Sequence, residues 1–181
     1  MRVIAGSARS KPLCCPAGDG TRPTTDRIKE TLFNVIQGYV PECIFVDLFA
    51  GSGAVGIEAL SRGASKAYFV DNNRTALDCI RKNLDFTDLS DNAVVIGRNA
   101  IDSLYEIKET ADVIFMDPPY AQGGEASVMK ALKERGIVGE DSIVIIEADI
   151  SNELAGIEEL GFEIYKEKRY KTNKHVFYRL A

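Results

Sequence analysis

The sequence predicts an α/β fold of the doubly wound, Rossmann-like kind: a mainly parallel seven-stranded sheet with a C-terminal antiparallel hairpin, preceded by a small N-terminal β-ribbon and helix appendage. Three observations predict it. From residue 44 onward, short apolar runs alternate with helical patterns, as stacked βαβ units require. A glycine-rich turn, Gly51-Ser52-Gly53-Ala54-Val55-Gly56, follows the first of those runs. The last two extended segments are separated only by Lys171-Thr172-Asn173, which permits a hairpin but not a parallel crossover.

Taken in order, residues 44–49 read as the first strand, followed by a helix that runs to about Arg62, where Gly63 can end it. Residues 67–70 form the second strand. A helix over 74–85 puts Ala76, Leu77, Ile80 and Leu84 on one face, and residues 93–96 give the third strand. A short helix near 101–109 precedes the fourth strand at 112–116, and a helix around 125–135 leads to the fifth, 142–147. That strand is the most apolar, so it is expected to be central and buried on both faces. After a short helix near 152–160, the alternating segments 162–170 and 174–180 make the hairpin. The appendage comprises short strands at 2–5 and 11–15 and a helix over 24–37, capped by Thr24 or Thr25, with Ile28, Leu32, Val35 and Ile36 along one face.

At 181 residues and 45% hydrophobic content, the chain can bury a full core, so a single domain is expected: an appendage over 1–38 and a catalytic core over 44–181. No run approaches a membrane span and the start lacks a long apolar leader, so a cytoplasmic monomer that contacts no membrane is expected. Cys14, Cys15, Cys43 and Cys79 show neither CxxC spacing nor a histidine cluster, and are expected to be reduced thiols without a chemical role; no metal site is suggested. His175, the single histidine, reads as a strand residue, so the mechanism is expected to work without histidine. The net charge of −5 hides an asymmetry: residues 1–38 carry +3, and a second basic run, Lys166, Lys168, Arg169, Lys171 and Lys174, encloses only Glu167. Two basic patches on an acidic body suit a nucleic-acid contact.

Three motifs carry chemistry. In Asp47-Leu48-Phe49-Ala50-Gly51-Ser52-Gly53, the glycines let backbone approach a ligand closely, while Asp47 would repel a pyrophosphate and attract the ammonium of a methionine moiety. Asp71, after the second strand, suits the two hydroxyls of a ribose, with Asn72 beside it; Asn99 and Ala100, after the third strand, fall where an adenine edge would lie, although Asn99 equally suits a helix cap. Asp117-Pro118-Pro119-Tyr120 follows the fourth strand on the same edge of the sheet. Its prolines fix the backbone and remove two donors, leaving carbonyl acceptors. An exocyclic base amine is a poor nucleophile because its lone pair is delocalised into the ring. Hydrogen bonds from its N–H groups to Asp117 and the Pro118 carbonyl would localise that pair, with Tyr120 stacked on the base. This combination points to methyl transfer from S-adenosyl-L-methionine to a planar amine. The candidate cofactor set is Asp47, Phe49, Ala50, Gly51, Gly53, Asp71, Asn72, Asn99, Ala100 and Asp117; the candidate catalytic set is Asp117, Pro118 and Tyr120.

The Asp47 loop followed by Asp117-Pro118-Pro119-Tyr120 resembles the class I amino-methyltransferases. The segment 22–34 (RPTTDRIKETLFN), with Phe49-Ala50-Gly51-Ser52-Gly53 and the run 56–63 (GIEALSRG), resembles the RsmD-like family of 16S ribosomal RNA guanine-N2 methyltransferases, nearly end to end. That resemblance implies the class I methyltransferase fold and, as substrate, one guanine of the RNA in an assembling small ribosomal subunit. Ser10 departs from it, standing where a glycine is expected in the ribbon. Arg2, Arg9, Lys11, Arg22, Arg27, Lys168, Arg169 and Lys171 are the candidate RNA contacts. The competing expectations are a DNA adenine-N6 or cytosine-N4 methyltransferase, a nicotinamide oxidoreductase on the glycine fingerprint and Asp71 alone, and a noncatalytic RNA-binding or assembly factor.

Overall fold

The computed structural model describes residues 1–16, 26–119 and 124–181 of the chain. Along the chain run α1 (Asp26–Ile36), β1 (Ile44–Leu48), α2 (Ala54–Ser61), β2 (Lys66–Val70), α3 (Arg74–Thr87), β3 (Ala93–Ile96), α4 (Ala100–Ser103), β4 (Ala111–Met116), α5 (Glu125–Glu134), β5 (Val138–Asp149), β6 (Phe162–Arg169) and β7 (Asn173–Leu180). The strands form one sheet in the order β3-β2-β1-β4-β5-β7-β6. The first five are parallel, while β7 runs antiparallel to both β5 and β6. The expected sheet and hairpin are therefore present, with β5 interior between β4 and β7 and buried from Ser142 to Ala148.

Alternation along the strands sends side chains to two cores. Phe45, Phe69, Val113, Phe115, Ile143, Ile145 and Phe177 pack against α1, α2, α3 and the N-terminal ribbon. Val46, Leu48, Val70, Ile114, Met116, Val144, Ile146 and Val176 pack against α4 and α5. Among the described residues, no helix is long and apolar enough to cross a membrane.

Four expectations are corrected. The two appendage strands reduce to one antiparallel bridge, Arg2 with Pro12, flanked by Val3 N–H to Lys11 O at 3.0 Å and Leu13 N–H to Met1 O at 3.0 Å. Pro12 has no N–H with which to extend the ladder. The helix expected near 101–109 is only Ala100–Ser103, after which successive turns bury Leu104 and Ile107. The one near 152–160 is only a 3₁₀ turn, Glu158–Leu160, because Asp149 and Asn152 accept the Ser151 and Leu154 N–H groups at 2.9 Å each in local turns that compete with a helix. β5 starts at Val138 rather than 142: Ser142 Oγ accepts Gly139 N–H at 2.8 Å and donates to Ala111 O at 2.5 Å, carrying the strand through an irregularity that Gly139-Glu140-Asp141 disguises as a turn. Thr24 and Thr25 lie outside the described residues.

The ribbon is fastened to the core by charge. Glu58, the one charged residue of α2 and a buried one, accepts Ile4 N–H at 2.8 Å and Ala5 N–H at 3.0 Å, and pairs with Lys29 at 3.2 Å and Arg62 at 2.8 Å. Lys29 Nζ also donates to Arg2 O at 2.6 Å. Burial pulls the Lys29 pKa below the ordinary lysine value, partly offset by Glu58. Ser10 sits in the ribbon at φ 70°, the left-handed region that a glycine enters without a Cβ clash. Ser10→Gly is therefore expected to raise stability by about 1 kcal/mol, read as a small increase in Tm.

Candidate active site

β1 and β4 are neighbours, yet the chain leaves β1 toward β2 and β3 and leaves β4 toward β5. Their C-terminal ends therefore mark the topological switch point, where doubly wound sheets take ligands. The Asp47 loop and the Asp117 segment both emerge there.

The loop is held in an unusual backbone path. Phe49, Gly51 and Gly53 all have positive φ (66°, 56° and 75°), and Ala50 N–H reaches back to Val70 O at 2.8 Å. The glycines divide the work. A Cβ on Gly51 would meet nothing within 4 Å, so backbone there is open to a ligand, whereas a Cβ on Gly56 would lie 2.4 Å from Phe69 Cε1. Gly56 thus lets α2 pack directly on the sheet.

Asp47 lies beneath the start of α2, 1% exposed, with Oδ2 accepting Gly56 N–H at 2.9 Å. Burial raises its pKa to about 7; the Gly56 hydrogen bond opposes that and the charge of Asp71 adds to it. Asp71 buttresses the loop: its two oxygens accept Gly51 N–H at 2.9 Å and Asn73 N–H at 2.8 Å. Each oxygen retains a second acceptor site. Asn72 is exposed beside it. Asn99 caps α4, its Oδ1 accepting Asp102 N–H at 2.8 Å, and Ala100 is buried behind it.

Asp117 follows β4 at the level of Glu147 on β5, because Met116 pairs with Ile146. Its pKa rises to about 8, first through burial, then through the neighbouring charges of Glu147 and Asp47. Pro118 is buried behind it and Pro119 exposed. Tyr120 lies outside the described residues.

Sequence reasoning did not include Glu147 and its partners. Glu147 is 5% exposed; its oxygens meet Asn173 Nδ2 at 2.5 Å and His175 Nε2 at 2.9 Å, and His175 Nδ1 faces Tyr170 Oη at 3.1 Å. His175 is a strand residue, as expected, but a fully buried one bonded at both ring nitrogens next to the Asp117 row. The available signal was a lone acid at the end of the most apolar strand.

The basic residues separate. Arg9, Arg27, Lys168, Arg169 and Lys171 are exposed. Arg2 pairs with Asp26 at 3.3 Å and Lys11 with Asp88 at 2.8 Å; Arg169 pairs with Glu167. Lys29 and Lys174 are buried, so the charge excess read from the sequence overstates both patches. Arg22 lies outside the described residues. The 170–172 turn emerges beside the end of β5, on the Asp117 edge, as the hairpin direction requires. A cavity of about 320 Å³ opens at the opposite edge, among Tyr39, Glu42, Asp112, Asp141, Tyr165 and Arg179, and contains none of these groups.

The model of the family described as conserved hypothetical protein 95 matches residues 1–179. The chain belongs to this family, the RsmD-like one. It is similar to Ribosomal RNA small subunit methyltransferase D of Escherichia coli K12, 33% identical over 93% of this chain and 84% of that one. The protein of the same description from Haemophilus influenzae is 34% identical over 99% of this chain and 92% of its own. Among solved structures, a hypothetical protein of Thermus thermophilus superposes with a TM-score of 0.83 at 28% identity, covering 99% of each chain. The fold is thus the Rossmann-like class I methyltransferase fold. The RsmD-like match includes the appendage as well as the sheet, so the ribbon that Glu58 fastens is part of what the family shares.

Proposed function

We propose that this chain is an S-adenosyl-L-methionine-dependent methyltransferase acting on the exocyclic N2 of a guanine in small-subunit ribosomal RNA, within an assembling subunit in the cytoplasm. The observation that carries the reading is the pair of carboxyls, buried Asp47 and half-buried Asp117, at the switch point beside a backbone left open at Gly51. The relatives' names supply the ribosomal substrate.

The residues fit the cofactor chemically. Asp47 suits its ammonium, Asp71 and Asn72 its ribose, the Phe49-Ala50-Gly51-Gly53 backbone its close approach, and Asn99 with Ala100 its base. The bound cofactor supplies an electrophilic methyl group. Asp117, once ionised, accepts an N–H of the guanine amine, the Pro118 carbonyl accepts the other, and Tyr120 orients the ring. The lone pair is thereby localised toward the methyl, and Asp117 receives the proton the amine sheds. The test is transfer of labelled methyl to ribosomal RNA, small subunits and DNA from a strain lacking the protein; label confined to DNA would overturn the substrate.

Cofactor binding should be linked to protons. A cationic ligand favours ionised Asp47 and Asp117, whose pKa values are about 7 and about 8 without it. Binding at pH 7 therefore releases protons, and as pH drops from 7 to 5 the association constant falls by up to about tenfold per pH unit for each of the two protons released. Calorimetry in two buffers of different ionisation enthalpy measures the release; pH-independent binding would contradict it.

The exposed Lys168 and Lys171 stand on the edge where RNA would lie. Replacing both with alanine is expected to weaken RNA binding and reduce the slope of log K against log salt by about 1 to 2, with cofactor affinity unchanged.

A further inference from the structure

Cys14, exposed on the N-terminal ribbon, and Cys79, buried in α3, come from distant parts of the chain and meet. Their Sγ atoms are 3.0 Å apart, and Cys79 Sγ also lies 3.2 Å from Cys14 O. The approach is locked from a third side. Asn83 Oδ1 accepts Cys14 N–H at 2.9 Å, and its Nδ2 donates to Cys14 O at 3.0 Å and to Ser52 O of the glycine loop at 2.9 Å. Asn83 is 2% exposed, so the clamp is part of the core, and it joins the ribbon, α3 and the loop.

We infer that Cys14 and Cys79 are a built oxidation site, which a low-molecular-weight disulfide converts into an intramolecular disulfide that ties the ribbon to α3 beside the glycine loop. Cys14, as thiolate, attacks one sulfur of the reagent disulfide, forming a mixed disulfide and expelling one thiolate. Cys79, as thiolate, then attacks Cys14 Sγ and expels the second. The protein loses two electrons and two protons, and the reagent is reduced to two thiols. Exposure gives Cys14 the first step. Burial, reinforced by Cys14, pushes the Cys79 thiol up to about 12, which makes the second step the slow one and speeds it as pH rises. Exposed Cys15 is adjacent in sequence and serves as the internal control.

The test is oxidised glutathione added to the full chain at pH 8, followed by non-reducing peptide mapping. The expected product is a Cys14–Cys79 cross-link that reductant removes. In Cys79→Ser, a stable glutathione adduct should accumulate on Cys14; in Cys14→Ser, Cys79 should stay unmodified; Cys15→Ser should cross-link as the parent does. Mapping of the unsubstituted chain decides the matter without any variant. Adducts or intermolecular links without a Cys14–Cys79 peptide would overturn the assignment, as would modification of Cys79 at the parent rate in Cys14→Ser.

Discussion

Asp117→Asn should abolish most methyl transfer and at the same time make the ligand-free protein more stable at alkaline pH. Asparagine keeps the shape but loses the charge that accepts the amine proton, so kcat is expected to fall by about 10²- to 10⁴-fold. The stability sign follows from the raised pKa. Unfolded, Asp117 ionises near the ordinary carboxyl value of about 4; folded, it holds its proton up to about 8. Between those limits the native state binds more protons than the unfolded one, so this group makes stability fall as pH rises, with the full penalty reached above 8. Asparagine has no such penalty. The two proteins should melt alike below pH 4 and diverge in favour of the variant toward pH 9, by about 2–4 °C for each kcal/mol relieved. Thermal melts across pH, beside a methyl-transfer assay, read both halves. A variant that is inactive but gains nothing in alkali would mean that the carboxyl is not buried among like charges.

Glu58→Ala should be among the most destabilising single substitutions. The side chain is fully buried and serves two backbone amides, Lys29 and Arg62. Removing it leaves the fully buried Lys29 ammonium with Arg2 O but without its carboxylate, a loss of about 3–5 kcal/mol. Lys29→Met should cost less, because Glu58 keeps Arg62 and both amides. Combining Lys29→Met with Glu58→Leu should recover part of the loss, since an apolar pair removes the unpaired charge, though the Ile4 and Ala5 amides stay unsatisfied. Denaturant unfolding of the three variants gives the ranking. Equal losses in Glu58→Ala and Lys29→Met would show that the contacts of Glu58 with Arg62 and the two amides contribute nothing.

Much of the sheet was legible because its information is local. Parallel strands buried on both faces read as continuous apolar runs, so 93–96 matches β3 in extent and β1, β2 and β4 differ by one residue at an end. The Asp47 loop and Asp117 were legible for the same reason, each announced by its immediate neighbours. The helix expected near 152–160 was misjudged because side chains of Asp149 and Asn152 captured backbone amides that a helix would have used. Other features depend on partners far apart in sequence. Glu147 meets His175 across 28 residues, and Cys14 meets Cys79 across 65. Neither pairing leaves a spacing pattern; the hint is a charged residue set against an apolar run, as with Glu147 after Ile143-Val144-Ile145-Ile146 in β5 and Glu58 after Ile57 in α2. Charge counts misled in the opposite sense, because Lys29 and Lys174 contribute to a basic excess that they do not display at the surface.

The proposed activity is tested most directly by identifying the labelled nucleoside. Small subunits from a strain lacking the protein are incubated with it and methyl-labelled S-adenosyl-L-methionine, and the RNA is digested and analysed by mass spectrometry. Label is predicted in N2-methylguanosine of the small-subunit RNA, lost with Asp117→Asn. Label in any other nucleoside, or undiminished N2-methylguanosine with Asp117→Asn, would contradict the proposed activity.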